Sequence, residues 1–383
     1  MGIQFVDLQV QYQSIKKEID AAISRVVSTG IYIMGPEVQS FEEAMASYIK
    51  VNHAVGVASG TDALHLALLA CDIKAGDEVI TTPFTAPATT EVIKHCGAIP
   101  KFVDIDAKTY NIDHFKIEKK ISKKTKAIIP VHLYGQPCDM DEIMKLARKH
   151  ELKVIEDCAQ ALGSEYKGEM VGSLGHVGCL SFFPANNLGA YGDGGMVVTI
   201  DPQIAEKVRL LRLHGSPEPY KYIMDGFNSR LDAIQAAILK VKLRHLGEWI
   251  SLRNERAIIY NRLLARVNGI DIPFKQGGNR HSYNYYTVCI SGGKQKRNGL
   301  LNHLRAKGIY AVVFYPSSLH IQEPYSHLKS KKDEFAVSEW AQDRVISLPM
   351  YPELTEKQIK QIVDEIRDFM EGFQESIDLK QIS

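Results

Sequence analysis

Between about residues 50 and 200, the sequence alternates between short β-rich runs and segments with helical periodicity. Seven runs are expected to form strands: Ala54–Ala58, Glu78–Thr82, Ile99–Val103, Ala127–Leu133, Lys153–Glu156, Gly178–Phe183 and Gly195–Thr199. Helical patterns separate several of them, at Asp62–Ala70, Thr89–His95 and Asp139–His150. This alternation predicts an α/β fold, in which helices cover both faces of a mostly parallel seven-stranded sheet. Ligands bind such sheets at the carboxyl ends of the strands, so functional residues are expected there.

The sequence on either side of this block predicts further helices and a second, smaller unit. Helices are expected near Gln13–Ser28, Glu37–Ile49, Pro202–Leu213 and Leu231–Arg266. Near residue 270 the pattern changes to an α+β unit with strands at Tyr285–Ile290 and Val312–Phe314 and helices at Lys294–Lys307 and Glu356–Met370. We therefore expect a large domain over residues 1–250 and a small C-terminal domain over residues 251–383.

Composition excludes several classes of function. Among 383 residues, 46 Lys and Arg balance 45 Asp and Glu, so neither nucleic acid nor a membrane surface is expected as a partner. The six cysteines lack CxxC spacing, which favours buried thiols over disulfides or a zinc site. His281 and Tyr283 have no third ligand nearby, and no metal site is predicted. A signal-peptide pattern and a membrane-length apolar run are both absent, which predicts a cytoplasmic protein.

The segment ASGTDALHLAL, residues 58–68, predicts a strand that turns into a helix at Ser59, Gly60 and Thr61. A helix N-terminus presents unpaired N–H groups, and a glycine there allows a ligand oxygen to approach closely. The segment could therefore bind a phosphate. Ser, Gly and Thr are also common helix caps, so this interpretation stays open on the segment alone.

The segment KVIEDCAQALGSEYKG, residues 153–168, predicts a buried strand that ends in two acidic residues. A carboxylate at a buried strand end needs a cationic partner, because isolated burial of a charge is unfavourable. A protonated pyridine nitrogen would provide one. The alternative is that Asp157 caps the following helical segment.

These two segments and SFFPANNLGAYGDGG, residues 181–195, follow the order seen in fold-type I enzymes that use pyridoxal phosphate. More narrowly, the chain resembles the DegT/DnrJ/EryC1/StrS family of sugar aminotransferases. The resemblance extends almost from end to end. Further matching segments are VDL, GPEVQSFE, GDEVITTPFTAPAT, FVDID, AIIPVHLYGQPCDMDEI, FNSRLDAIQAAIL, FYPSSLH and SLPMYP.

The resemblance implies a role for individual residues. Asp157 would pair with the pyridine nitrogen of pyridoxal 5'-phosphate, and Gln160 would lie near the ring hydroxyl. The phosphate-binding residues would be Gly60, Thr61, Ser181 and, from a second subunit, Asn228. This last role implies a homodimer with composite active sites.

The chain departs from the family pattern at two positions. The family places its Schiff-base lysine where this chain has Asn186. An amide nitrogen is delocalised into its carbonyl, so Asn186 can act neither as a nucleophile nor as a useful base. The family often has an aromatic residue that stacks on the cofactor at the position of Ala86, and Phe84 or another ring could compensate for its absence.

Two interpretations of Asn186 remain open. The residue could be a deliberate Lys-to-Asn substitution that inactivates the enzyme and traps the external aldimine of the cofactor and its amino-sugar product. Alternatively, the chain could be a naturally non-catalytic relative that binds the cofactor, as pyridoxal or pyridoxamine phosphate, or an amino sugar. Relatives that act as dehydratases have histidine at this position, and Asn186 cannot replace that base.

The sequence says less about the substrate. The resemblance implies formation of an amino sugar from a keto or aldehydo sugar, with glutamate as amino donor, in the biosynthesis of surface polysaccharides such as lipopolysaccharide. FNSRLDAIQAAIL is closer to relatives that act on nucleotide-linked 3-keto sugars, and an octulosonate-type sugar acid is the alternative. Candidate substrate residues are Arg230, Tyr315 and His320, each of which could instead be a structural ion-pair or capping residue.

Overall fold

A computed structural model describes residues 2–328, 331 and 333–382, with side chains placed up to residue 372. The helices are α1 (Leu8–Thr29), α2 (Pro36–Ile49), α3 (Gly60–Ala70), α4 (Ala88–His95), α5 (His114–Ile117), α6 (Met140–Lys149), α7 (Pro202–Leu211), α8 (Ala233–Leu264), α9 (Gly293–Ala306), α10 (Ala336–Gln342) and α11 (Glu356–Ile382). Among the described residues, none of the helices combines the length and the apolar character that crossing a membrane requires.

The strands form a central sheet and a smaller one. The strands are β1 (His53–Val57), β2 (Glu78–Thr81), β3 (Ile99–Phe102), β4 (Thr125–Ile128), β5 (Lys153–Asp157), β6 (Glu165–Tyr166), β7 (Glu169–Met170), β8 (Val177–Ser181), β9 (Gly195–Thr199), β10 (Ile270–Asp271), β11 (Tyr286–Ile290) and β12 (Val345–Leu348). The central sheet has the order β1-β9-β8-β5-β4-β2-β3. Within it, β9 is antiparallel to both of its neighbours, and the other six strands share one direction. The predicted α/β fold with a mostly parallel seven-stranded sheet is confirmed.

Helices cover both faces of the central sheet because successive strand residues point to opposite sides. On β9, Val198 packs in a core cluster with residues of α1, α2 and α8, including Phe41. Its neighbour Val197 packs in a different cluster, with residues of α3 and α7 such as Leu64. Both valines are fully buried. The apolar strand sequences are therefore explained by a sheet that is covered on each face.

The C-terminal residues form an antiparallel sheet in the order β10-β11-β12, which packs with α9 and α11 around a separate core cluster. This arrangement agrees with the expected smaller α+β unit. Helix α8 contributes to both clusters, with Trp249 in the first and Tyr260 and Leu264 in the second. The expected boundary between residues 250 and 251 falls inside this helix, and the division into two domains stays a prediction.

The short strands β6, β7 and β10 were not predicted, and two further strand predictions were wrong. The segment 312–314 forms no strand, and only Val312 makes an isolated bridge, to Ser347. Ser347 belongs to β12, a strand that the pattern did not predict. The run of β12 is only four residues long, because Pro349 follows it and cannot donate a backbone hydrogen bond. For the same reason β4 ends at Ile128 rather than Leu133, since Pro130 interrupts the run.

The core of the large sheet depends on Phe41, whose side chain is fully buried against Phe182. We expect Phe41→Ala to lower the free energy of unfolding by about 3–5 kcal/mol, because it removes apolar contacts and leaves a cavity. Phe115→Ala is the matched control, since Phe115 is 80% exposed, and it should change stability by less than about 0.5 kcal/mol. Denaturant titration of both variants checks the expectation, and equal effects would contradict the assignment of the core.

Candidate active site

The carboxyl ends of three parallel strands bring the principal predicted site residues together. Asp157 is the last residue of β5, and Ser181 is the last residue of the neighbouring β8. Gly60 begins α3, shortly after β1 ends at Val57. A Cβ atom added to Gly60 would lie 2.6 Å from the Cβ atom of Ser181, so the two residues are in direct contact. The sheet edge therefore assembles residues that are up to 121 positions apart in the sequence.

The N-terminus of α3 has the features of an anion-binding site. Ser59 is the N-cap, and its hydroxyl accepts a hydrogen bond of 3.0 Å from the N–H of Asp62. Within the described part of the chain, the N–H groups of Gly60 and Thr61 have no acceptor, and both residues are half-buried. Backbone donors at the positive end of a helix, beside the hydroxyl of Ser181, suit a phosphate group.

Asp157 is a buried carboxylate with only neutral hydrogen-bond donors. Its side chain is 5% exposed, and Oδ2 accepts a bond of 2.8 Å from the hydroxyl of Thr89. Oδ1 accepts a bond of 3.1 Å from the N–H of Ala159. Burial raises the pKa of Asp157 above its ordinary value, and the two hydrogen bonds only partly offset this effect. Across the described residues no Lys, Arg or His side chain forms an ion pair with it, so a cationic ligand would be stabilised here.

Gln160 and Tyr315 lie together on the same side of the cleft. Gln160 Oε1 accepts a bond of 2.9 Å from the N–H of Tyr134, and its Nε2 donates to the hydroxyl of Tyr315 at 3.0 Å. Burial raises the pKa of Tyr315, and the negative charge of Asp157 adds to this effect, so the phenol stays protonated and can donate a hydrogen bond. These contacts orient two polar groups beside Asp157.

The loop that carries Asn186 is tightly folded. The N–H of Asn186 donates to the carbonyl of Phe183 at 2.9 Å, and the N–H of Ala190 donates to the carbonyl of Phe182 at 2.8 Å. The Asn186 side chain is half-buried, and its Nδ2 donates to the carbonyl of Ser181 at 3.2 Å. Residue 186 therefore lies beside the predicted phosphate-binding serine, where a side chain can face a bound ligand.

The remaining predicted residues are less directly connected to this cleft. Asn228 is exposed, and no side-chain hydrogen bond is formed by it or by Arg230 within the described ranges. Their neighbour Ser229 donates a bond of 2.6 Å to Asp62 in the first turn of α3, which keeps the segment near the anion site. His320 has other contacts: its Nε2 lies 3.0 Å from Glu339, and its ring packs against Phe335.

Ala86 stands where the family resemblance predicts an aromatic residue that stacks on the cofactor, so another ring would have to take that role. Phe84 is fully buried in a cluster with Tyr110 and Tyr315, with its ring centroid 6.0 Å from that of Tyr315. Tyr315 is half-buried and has its hydroxyl on Gln160. Tyr315 is therefore better placed than Phe84 to offer an aromatic surface to a ligand, and compensation by any ring stays a prediction.

One buried cluster outside the cleft contains possible metal ligands, namely His132, Glu156 and Cys158. His132 Nδ1 accepts a bond of 3.0 Å from the N–H of Cys138, which leaves Nε2 as the donor to Glu156 at 2.9 Å. The carboxylate of Glu156 also accepts bonds from backbone N–H groups, including that of Gly172 at 2.8 Å. These hydrogen bonds occupy the lone pairs of His132 and Glu156 and fix both side chains in the protein structure.

Sequence reasoning missed two residues that support the site. Thr89 binds Asp157 across 68 positions of sequence, and Asn284 accepts a bond of 3.0 Å from the N–H of Asn187 across 97 positions. The four-residue spacing of Thr85 and Thr89, whose hydroxyls lie 3.0 Å apart, is the signal that could have indicated the first. No comparable local pattern marks Asn284, because its partner lies in a distant loop.

Comparison with known proteins extends these observations. A model of the DegT/DnrJ/EryC1/StrS aminotransferase family matches residues 13–367. The "Pleiotropic regulatory protein" of Geobacillus stearothermophilus is 44% identical over 375 residues, which cover 97% of this chain and all of that protein. The UDP-N-acetyl-3-dehydro-alpha-D-glucosamine 3-aminotransferase of Acidithiobacillus ferrooxidans is 43% identical over 371 residues, 97% of this chain and 99% of that one. The solved structure of DesV from S. venezuelae in complex with a ketimine intermediate has a TM-score of 0.93 and 39% identity, with 97% and 99% of the two chains covered.

The raised pKa of Asp157 leads to a prediction about stability without any ligand. Its stabilising contribution is fully present below its unfolded pKa, near 3.8, and is lost as the pH rises through the higher folded value. Asp157→Asn removes this ionisation, so the variant should melt at a higher temperature than the parent at pH 7. The difference should shrink as the pH falls toward 4.

Thermal melts of ligand-free protein at the two pH values measure this difference. Asp193→Asn, at an exposed position in the same region of the sheet edge, is the control and should give a similar small difference at both values. A parent that is more stable than Asp157→Asn at pH 7 would show that the carboxylate already has a favourable partner.

Proposed function

The chain belongs to the DegT/DnrJ/EryC1/StrS aminotransferase family, and from this premise we propose that it is a sugar aminotransferase in which the step that needs a lysine is blocked at Asn186. In its lysine-containing form, the enzyme would make an amino sugar from a keto or aldehydo sugar with glutamate as amino donor. The observation that carries the proposal is the buried carboxylate of Asp157, which lies at the carboxyl edge of the sheet without a cationic partner among the described residues.

Family membership indicates a cofactor of the pyridoxal phosphate type. When bound, such a cofactor supplies an aldehyde that condenses with amines and a ring that accepts electron density. Asp157 would hold a proton on the pyridine nitrogen, because this cation relieves the unfavourable burial of the carboxylate. The N–H groups of Gly60 and Thr61, with the hydroxyl of Ser181, would bind the phosphate. Gln160 and Tyr315 would orient the ring through hydrogen bonds at its hydroxyl side.

Asn186 would leave binding of the cofactor largely intact and would remove the catalytic steps that need a lysine. An amide at this position can neither form a covalent bond to the cofactor nor move a proton between carbon atoms. Loss of the proton transfer alone would reduce the rate by about a hundred- to ten-thousand-fold. The side chain instead donates to the carbonyl of Ser181, so the loop keeps its fold around an inactive residue. An engineered trap for a bound product is one origin that we propose for such a chain.

A second candidate function is binding without catalysis. The regular hydrogen bonding of Asn186 shows that the loop accommodates an amide without leaving its polar atoms unpaired. The name of the Geobacillus stearothermophilus relative refers to regulation rather than to a reaction. In this case, the same cleft would sense the cofactor or an amino sugar.

For the substrate, we propose a nucleotide-linked 3-keto sugar. The Acidithiobacillus ferrooxidans relative, at 43% identity, is named for a substrate of this class, which supports the proposal. An octulosonate-type sugar acid is the alternative. Arg230 is half-buried and follows Ser229, which binds Asp62 in the first turn of α3, and it would bind a phosphate or carboxylate of the sugar or the amino donor. We expect no direct contact between His320 and the substrate, because the His320 side chain contacts Glu339 and Phe335.

We also propose that the active sites form in a homodimer. Several large apolar side chains are exposed in the single chain, in the segments 31–33 and 220–227 and in the loop of Asn186: Ile31, Tyr32, Ile33, Phe183, Tyr220, Tyr222, Ile223 and Phe227. Clusters of exposed apolar residues of this kind are typical of protein interfaces. Burial of this surface between two subunits would bring Asn228 of each subunit toward the phosphate site of the other.

Restoring the lysine tests the proposed function directly. Asn186→Lys should bind pyridoxal 5'-phosphate covalently, so that borohydride reduction fixes the cofactor at position 186, where peptide mass spectrometry can locate it. The variant should also aminate a UDP-linked 3-keto sugar with glutamate, at least about a hundredfold faster than the parent, because it regains an amine that can transfer protons.

Asn186→Gln is the matched control, since it lengthens the side chain without adding an amine, and it should gain neither property. A lysine variant that binds the cofactor but aminates none of a panel of keto sugars and octulosonate aldehydes would favour the binding function. A variant that binds neither the cofactor nor an amino sugar would contradict both proposals.

The composite site leads to a separate prediction. Asn228→Ala should weaken binding of pyridoxal 5'-phosphate by about tenfold, as expected when a hydrogen bond to a charged group is lost, without changing the dimer mass measured by analytical ultracentrifugation. Asn268→Ala, at an exposed position in the C-terminal unit, is the control and should bind the cofactor as the parent does. Unchanged affinity in Asn228→Ala, or a monomeric parent, would contradict a phosphate site shared between subunits.

A further inference from the structure

Lys242, in the first third of α8, is a lysine that lies almost entirely inside the protein. Its side chain is 1% exposed, and its ammonium group donates a hydrogen bond to the backbone carbonyl of Gly189. Gly189 is only three residues beyond Asn186 and is itself buried. The buried amine therefore contacts the loop that carries the position essential to the proposed function.

The surroundings of Lys242 are unusual for a cation. Its nitrogen lies 5.2 Å from the ring centroid of Tyr191 and 6.0 Å from that of Trp249. No carboxylate within the described residues forms an ion pair with it, and burial lowers the pKa of Lys242 to about 7, which the charge of Glu353 offsets only in part. Burial of such a group is costly unless its contacts compensate. A carbonyl and two aromatic faces offset part of this cost, and two of the three contacts, Gly189 and Tyr191, belong to the loop.

The loop is compact at the residue that Lys242 contacts. A Cβ atom on Gly189 would lie 2.1 Å from the carbonyl oxygen of Pro184, so the chain closes tightly on itself around residue 186. Helix α8 also holds the next part of the loop, because Gln235 accepts a bond of 2.8 Å from the N–H of Tyr191. Lys242 and Gln235 thus attach the C-terminal side of the loop to one rigid helix.

On its other side the loop is held by different elements. The N–H of Asn187 donates to Asn284, just before β11, and Nδ2 of Asn187 donates to the carbonyl of Leu162 at 3.2 Å. Residue 186 therefore lies between two sets of hydrogen bonds, one to α8 and the other to Asn284 and Leu162. If one set is released, the bonds within the loop, from Asn186 to Phe183 and from Ala190 to Phe182, remain, and we expect the segment to open more often while the fold of the sheet is unaffected.

We propose that Lys242 is a positioning residue for the reaction, which fixes the loop at Gly189 so that the side chain at position 186 faces the cofactor. This inference rests on the proposed function. Lys242 would not touch the cofactor or the substrate. It acts through the carbonyl of Gly189 and the ring of Tyr191, and its removal should disturb the orientation at 186 more than the stability of the protein.

Hydrogen–deuterium exchange on the chain as it stands tests the positioning role without any cofactor. Lys242→Met keeps the apolar stem and removes the donor, and it should speed amide exchange over residues 186–191 by about ten- to a hundredfold, as expected for loss of a hydrogen bond from a charged donor. Lys240→Met is the matched control on the same helix, since Lys240 binds Ser40 instead of the loop, and exchange in 186–191 should not change.

If Lys242→Met fails to fold, Lys242→Gln replaces it, because glutamine is polar but too short to reach the same carbonyl. Lys242→Arg keeps both the charge and the donors and should restore most of the protection. Equal exchange over 186–191 in the parent and in a folded Met or Gln variant would overturn the proposal.

The catalytic consequence is measured in the Asn186→Lys background. Adding Lys242→Met should lower kcat about tenfold or more and change KM for the sugar little, because a misdirected amine affects the reaction and not substrate binding. Adding Lys240→Met should leave both constants unchanged. Inactivity of Asn186→Lys by itself refutes the proposed function, whereas an active Asn186→Lys enzyme that tolerates Lys242→Met refutes only the positioning role.

Discussion

The candidate site depends on one buried carboxylate at a strand end. Asp157 is 5% exposed, and its hydrogen-bond partners, Thr89 and Ala159, are neutral. Such a group is stable as an anion only when a cation reaches it, and burial accordingly raises its pKa. In the function that we propose, a protonated pyridine ring would supply this cation. The other polar groups of the cleft are arranged around this point.

The backbone fixes the distances between these groups. Gly60 lies against Ser181 so closely that any side chain at residue 60 would clash, and Gly195 has the same relation to the backbone of Ser59. These contacts join the ends of β1, β8 and β9 and hold the start of α3 next to the loop of Asn186. A rigid scaffold of this kind explains how the cleft keeps its shape although position 186 carries a chemically inert side chain.

The sequence predicted most of the sheet, because strands that are buried on both faces are apolar throughout. The bounds of β9 were predicted correctly, whereas β4 was predicted too long, because the effect of Pro130 was not considered. In the site, the buried position of Asp157 at a strand end follows from its local segment, whereas the role of Gln160 comes from the family resemblance and stays a prediction. The supports supplied by Thr89, Asn284 and Lys242 could not be predicted in the same way, because each one acts on a residue more than 50 positions away.

The protonation state of the cofactor tests the central claim most directly. Pyridoxal 5'-phosphate labelled with ¹⁵N in its ring would be added to the unmodified chain, and the nitrogen chemical shift would be recorded from pH 6 to pH 9. We expect the shift of a protonated pyridine across this range, because the Asp157 carboxylate stabilises the cation, and we expect that signal to be lost in Asp157→Asn. A bound cofactor whose nitrogen is unprotonated at neutral pH would contradict the account.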